Sequence, residues 1–365
     1  MTDPLLVTTQ SMTLFQDAPL RMEVGAELGP VEVAYEAYGT LNAAGDNAIL
    51  ICHALTGSAH AAWYNHADEK TPGWWDPLIG PGRAFDTDKY FVLCTNILGG
   101  CYGTTGPTSI DPKTGKPYRM RFPQMSIRDM VTVQKAACDR LGIKKLVTIA
   151  GGSMGGMQVL EWALLYPEMV GSIIPMATAG RHSAWCVGLH EPQRAAILLD
   201  PDFKGGDYES QPARGLGIAR AIAMITYRAE QEYGLKFKRD RVRPGAFFDR
   251  DNLFQVESYL RYQGQKLVER FDAVTYLLIT WAMDQHDIAR DRGSYEEVLS
   301  SIRCPALCSG ISSDWLYPPS EQKEIAKYIP RARYFEIDSI HGHDAFLIEW
   351  DQVTAALRAF MAEVG

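Results

Sequence analysis

A mostly parallel α/β sheet with crossover helices, interrupted late by a helical insertion, is the fold class the sequence predicts. Three observations carry it. Residues 1–180 repeat a short apolar run, a Gly-rich or polar loop and a helix-like stretch, the alternation expected of strands joined by crossover helices. The same style resumes after residue 300. Between them, 29% of residues 181–300 are charged against 18% of the remainder, so more of that segment must face water.

In order along the chain, strands are expected at Val31–Tyr38, Ala48–Ala54, Tyr90–Thr95, Leu146–Ala150 and Ile173–Ala177, then at Ala306–Gly310 and Arg333–Asp338. Residues 181–300 lack such runs. They space apolar residues at helical intervals instead, as in Ile218, Ile222, Ile225 and Leu253, Val256, Leu260, the period of one helix face. The expected division is a core of residues 1–180 and 301–365 with a helical lid at 181–300. Composition alone is equally consistent with a peripheral helical subdomain.

The formal net charge of −8 disfavours nucleic acid or an anionic membrane as partner and favours a small molecule. Met1–Gln10 lacks the basic segment and apolar core of a secretory leader. The most apolar windows, Ala48–Cys52, Gly171–Ala179 and Val274–Met283, fall short of the roughly 20 residues that cross a bilayer. Seven cysteines without a C-x-x-C pair suit a reducing cytoplasm, where free Cys serves as a small buried hydrophobe. A soluble cytoplasmic chain is expected.

The strongest local signal is Leu146-Val-Thr-Ile-Ala-Gly151-Gly152-Ser153-Met154-Gly155-Gly156. A strand runs into Gly-x-Ser-x-Gly and a helix follows, with apolar residues at Met157, Leu160, Trp162, Ala163 and Leu164. This is the context of a nucleophile elbow. Small residues are needed there because the sharp turn holds the serine in strained backbone geometry. The turn also leaves the Met154 N–H at a helix N-terminus, where it can stabilise an oxyanion. The second donor is expected from His53-Ala-Leu55-Thr56-Gly57, with the Leu55 N–H as the candidate.

A serine hydroxyl needs a base, and the base needs a carboxylate to fix its tautomer. In this architecture the order is serine, acid, histidine. Asp314 follows the strand near 306 and His343 follows the next one, with His341 as the competing base and Asp338 and Asp344 as competing acids. The other histidines, His53, His60, His66, His182, His190 and His286, show no H-E-x-x-H or comparable spacing, so no metal is expected. The glycine-rich stretches Gly80–Gly82 and Gly99–Gly106 lack phosphate-loop spacing and are expected as site walls or edge turns. Trp74 and Trp75 are expected in the core, and the basic run Lys236–Arg243 on a solvated lid face.

Such a set forms an acyl-enzyme without fixing who removes the acyl group: water in an esterase, an alcohol in a transferase. An amino-acid acceptor requires a guanidinium for its carboxylate and a carboxylate for its ammonium. Arg220 and Arg228 are candidates for the first and Asp344 for the second.

Six blocks add a resemblance. They are His53-Ala-Leu-Thr-Gly57, Gly73-Trp-Trp-Asp-Pro-Leu-Ile-Gly-Pro-Gly82, Asn96-Ile-Leu-Gly-Gly-Cys-Tyr-Gly-Thr-Thr-Gly-Pro107, Gly151-Gly-Ser-Met-Gly-Gly-Met-Gln158, Ser313-Asp-Trp-Leu-Tyr-Pro318 and Gly342-His-Asp-Ala-Phe-Leu347. Together, over about residues 10–360, they closely resemble the homoserine O-acetyltransferase family of α/β-hydrolase-fold acyltransferases. The resemblance implies a ping-pong transfer from acetyl-CoA, a co-substrate rather than a bound cofactor, to L-homoserine for methionine synthesis. It implies Ser153 as nucleophile, His343 as base, Asp314 as its orienting acid, Arg220 for the acceptor carboxylate and Asp344 for the acceptor amine. It also implies a homodimer through lid helices. Members that use succinyl-CoA resemble one another in an arginine two residues after the acid; Leu316 here favours acetyl. Ser58, Cys186-Val-Gly-Leu-His190 and Met224 depart from the family pattern and bear on acceptor choice. The alternatives are homoserine succinylation, serine acylation, a serine esterase and a catalytically silent binding module.

Overall fold

The structure, a computed structural model, describes residues 4–245 and 248–364. Its central sheet has eight strands: β1 (Gln10–Leu14), β2 (Val31–Tyr38), β3 (Ala48–Cys52), β4 (Phe91–Thr95), β5 (Leu146–Gly152), β6 (Ile173–Met176), β7 (Ala306–Ile311) and β8 (Ala332–Ile337). They lie in the order β1-β2-β4-β3-β5-β6-β7-β8. The pairs β1–β2 and β2–β4 are antiparallel and the others parallel.

Strand β3 shows why the central runs read as continuously apolar. Ile49 and Ile51 pack toward Trp75, Leu357 and Phe360, whereas Ala48, Leu50 and Cys52 pack toward Val131, Val159 and Trp162. Successive side chains point to opposite faces, and both faces of this sheet are covered. The seven expected strands are present, with ends shifted by two residues or fewer. Strand β1 was not expected: Gln-Ser-Met-Thr-Leu is an edge strand with its first two residues exposed, so it lacks the apolar run of a buried strand.

The helices are α1 (Ile127–Arg140), α2 (Met154–Leu165), α3 (Ala184–Leu198), α4 (Ala213–Thr226), α5 (Glu230–Phe237), α6 (Gln255–Val268), α7 (Ala273–Asp284), α8 (Tyr295–Ser301), α9 (Pro319–Tyr328) and α10 (Trp350–Val364). Among the described residues, the chain between β6 and β7 carries α3 to α8 and no strand. The stripe Ile218, Ile222, Ile225 lies on α4 but faces outward, with Ile218 53% and Ile225 43% exposed. The buried face is Gly215, Leu216, Ala219 and Ala223. Small residues face inward because the helices approach closely: a Cβ on Gly215 would stand 2.4 Å from the Ala196 carbonyl, and one on Gly264 2.7 Å from that of Gly217.

Among the described residues no helix is long and apolar enough to cross a membrane. All seven cysteines are unpaired.

Candidate active site

Strand β5 ends at Gly152 and α2 begins at Met154, so Ser153 alone makes the turn. Its φ of 58° and ψ of −126° fall in a region that L-residues avoid, at a cost of about 1–3 kcal/mol. The surroundings hold it there. The Ser153 N–H donates to the Met176 carbonyl at 2.9 Å, and the Thr178 hydroxyl donates to the Ser153 carbonyl at 2.7 Å.

The flanking glycines are required by contact. A Cβ on Gly151 would lie 2.7 Å and one on Gly155 2.1 Å from the Cys52 carbonyl oxygen, while one on Gly152 would meet the Phe346 ring at 2.4 Å. Gly155→Ala is therefore expected to destabilise the fold by about 3 kcal/mol, since overpacking against rigid main chain cannot relax; chemical denaturation measures it.

Asp314 follows β7, and His343 lies in the short 3₁₀ segment Gly342–Leu347 after β8. Adjacent parallel strands thereby bring two residues 29 positions apart into contact, with His343 Nδ1 2.7 Å from Asp314 Oδ2. The other carboxylate oxygen accepts the backbone N–H groups of Leu316 and Tyr317 at 2.9 and 3.0 Å. Burial lowers the His343 pKa, but the charge and hydrogen bond of Asp314 outweigh it and leave the pKa raised. Nε2 is left as the imidazole's other nitrogen, and His343 and Ser153 line one cavity of about 580 Å³. His341 is directed elsewhere, 3.6 Å from Glu232. Asp338 accepts from Ser312 and does not meet the imidazole among the described contacts.

Leu55 lines the same cavity. It sits in a tight turn closed by the Gly57 N–H on the Ala54 carbonyl at 2.9 Å. Met154 is the first residue of α2, so its N–H is among those without an intrahelical acceptor.

Arg220, Tyr227 and Asp344 form another part of the wall. The Arg220 guanidinium stacks 5.4 Å from the Tyr227 ring centre and makes no ion pair among the described residues. Arg228, the competing candidate, is already engaged, 3.1 Å from Asp344 and 3.2 Å from Glu232. Burial holds the Asp344 carboxyl above the usual range although Arg228, His343 and Arg220 all pull it down.

Leu316, read as favouring acetyl, has its side chain buried and is not among the cavity-lining residues. Its backbone N–H is spent on Asp314. The tryptophan pair divides: Trp75 is fully buried, whereas Trp74 lines the cavity. Sequence reasoning missed Tyr102 and Arg270, which also line it. The glycine-rich loop around Tyr102 was the available signal for the first; Arg270, between α6 and α7, had none.

Three potential metal donors converge elsewhere: His182, His190 and Asp284. Both Nδ1 atoms approach the same oxygen, at 3.1 and 2.8 Å, and Arg194 holds the other at 2.6 Å. The arginine already balances the carboxylate, so the cluster does not fit a cation. His182 Nε2 also contacts the Tyr317 hydroxyl at 3.0 Å, which ties the helical segment to the turn holding Asp314.

The sequence model for the alpha/beta hydrolase fold matches residues 47–349. The homoserine O-acetyltransferase of Moorella thermoacetica is 55% identical over 94% of both chains, and that of Nostoc punctiforme is 52% identical over 91% of this chain and 90% of its own. Among solved structures, homoserine O-acetyltransferase from Bacillus anthracis matches with a TM-score of 0.92 at 33% identity, covering 98% of each chain. Esterase E22 matches with a TM-score of 0.90 at 30% identity, covering 98% of this chain and all of its own. With a nucleophile elbow, an acid–histidine pair and this degree of likeness, the chain belongs to the homoserine O-acetyltransferase family of the α/β-hydrolase fold.

Proposed function

We propose that the site moves an acetyl group from acetyl-CoA to the hydroxyl of L-homoserine through an acetyl-Ser153 intermediate. The observation that carries this reading is the presence, in one cavity with Ser153, of a guanidinium with no ion pair among the described residues, Arg220, and a carboxylate, Asp344, whose Oδ2 also meets Arg228 at 3.1 Å. An esterase acting with water needs neither, whereas an amino-acid acceptor needs both.

In the first half-reaction, His343 Nε2 takes the Ser153 proton as Oγ attacks the thioester carbon. The Leu55 and Met154 N–H groups receive the oxyanion. Collapse breaks the C–S bond, and the departing thiolate takes the proton from His343. In the second, Arg220 holds the homoserine carboxylate and Asp344 its ammonium. The same imidazole removes the hydroxyl proton, the oxygen attacks the acetyl carbon, and Ser153 recovers its proton as the ester leaves. Asp314 orients the imidazole through Nδ1 and stabilises the imidazolium.

Position 316, where the succinyl-using members that this chain resembles carry an arginine, is Leu316 here, which supports acetyl over succinyl. The exposed apolar side chains Ile218, Ile225, Leu235 and Tyr262 on α4 to α6 support a homodimer through this face. Seven unpaired cysteines support a cytoplasmic setting.

Free CoA released from acetyl-CoA tests the reading: homoserine should raise the rate far above that with acetyl-CoA alone. Rapid release without acceptor would favour the esterase class that the likeness to E22 keeps in view. Repeating the assay with succinyl-CoA and with serine fixes donor and acceptor. Arg220→Ala is expected to lower kcat/KM for homoserine by about 10²–10³-fold, the usual loss when one partner of a desolvated charge pair is removed. Acetylation of Ser153 should fall far less; equal losses in the two half-reactions would remove Arg220 from acceptor binding.

A further inference from the structure

Arg270 reaches from the connection between α6 and α7 to the loop after β3. Its Nη1 donates to the Thr56 carbonyl at 2.9 Å and to the Tyr102 hydroxyl oxygen at 2.6 Å. The Thr56 carbonyl belongs to the turn that presents Leu55. That turn, closed between Ala54 and Gly57, leaves the N–H groups of its two central residues outside its own hydrogen bond. The Leu55 N–H is one of them.

The opposite side of the turn is braced by His53. Its Nδ1 lies 2.8 Å from the Ala54 carbonyl, and its Nε2 lies 3.0 Å from Asn96 Oδ1 and 3.3 Å from the Ile97 nitrogen. Burial lowers the His53 pKa and keeps the ring neutral. Thus a core histidine holds one end of the turn and an arginine from the inserted helices holds the other.

We propose that Arg270 is a positioning residue for the oxyanion hole, fixing the Ala54–Gly57 turn so that the Leu55 N–H is aimed at the acyl oxygen. The inference rests on the oxyanion role given to Leu55. An arginine suits the task because its long side chain carries several N–H donors, and Nη1 here joins acceptors on two different loops. Both acceptors are neutral oxygens, so the guanidinium's positive charge is not cancelled where negative charge develops. Loss of a whole oxyanion donor costs about 10²–10³-fold in kcat; loosening one should cost about 10–10²-fold.

The test is single-turnover acetylation of Ser153 by acetyl-CoA and, separately, by p-nitrophenyl acetate, an uncharged ester with nothing for a guanidinium to bind as an anion. Arg270→Gln should slow the maximal rate with both donors by a similar factor and leave half-saturation little changed. Arg270→Lys should recover part of the loss, and Tyr102→Phe should show a smaller loss in the same sense. If Arg270→Gln fails to unfold cooperatively, Tyr102→Phe carries the same comparison. Unchanged p-nitrophenyl acetate kinetics, with weakened saturation by acetyl-CoA or homoserine alone, would overturn the proposal in favour of anion binding. Unmodified enzyme that is acetylated by the ester yet not deacylated by homoserine would overturn the acetyltransferase reading and leave the Arg270 comparison intact.

Discussion

Replacing Ser153 with alanine is expected to reduce CoA release in the presence of homoserine by about 10⁶-fold, the scale seen when a serine nucleophile is removed from an otherwise intact site. Mass spectrometry should find no acetylated protein. The nearby Thr178 hydroxyl is spent on the carbonyl of residue 153, and water on the oxyanion donors alone gives only residual turnover. The backbone supplies a control. Ser153→Gly removes the same oxygen but also relieves the φ of 58°, so it should be equally inactive and more stable than Ser153→Ala by about 1 kcal/mol. An active alanine variant would remove Ser153 from the reaction.

Asp314→Asn is expected to lower the acetylation rate by about 10⁴-fold while the histidine stays in place. Its second effect has a defined sign. In the parent enzyme Asp314 overcomes burial and holds the His343 pKa above its ordinary 6.5. Attack requires the neutral imidazole, so the rate should rise with pH through a midpoint above 6.5. With a neutral amide at 314, burial is unopposed by that charge. The midpoint should then move downward, and the residual activity should persist to lower pH than in the parent. Single-turnover rates across pH 5–9 measure both effects. A midpoint that stays put or rises would show that Asp314 does not set the charge state of His343.

The parts of this molecule legible in the sequence are those fixed by local constraint. Strands β3 to β7 announce themselves because burial on both faces demands uninterrupted apolar runs, and the elbow because four small residues must meet main chain and rings at contact distance. What stayed hidden depends on approach between distant segments. The α4 periodicity was real, but the face carrying isoleucines is exposed, since Gly215 and Gly264 set how closely the helices pack. Arg228 and Arg220 look interchangeable in the chain; only the folded protein shows the first engaged by Asp344 and Glu232. Arg270 gave no signal because its partner, Thr56, lies 214 residues away.

The glycine contacts around Ser153 divide the enzyme into a floor that cannot be altered and a roof that can. Beneath the nucleophile, the Cys52 carbonyl, the Phe346 ring and Thr178 leave no volume for even one added methyl at positions 151, 152, 155 or 156. Directed evolution toward bulkier acyl groups or other alcohols therefore gains nothing by sampling the elbow. Useful diversity lies overhead, at Arg220, Tyr227 and their neighbours in the inserted helices, where a side chain can change size without displacing the main chain that bends at Ser153.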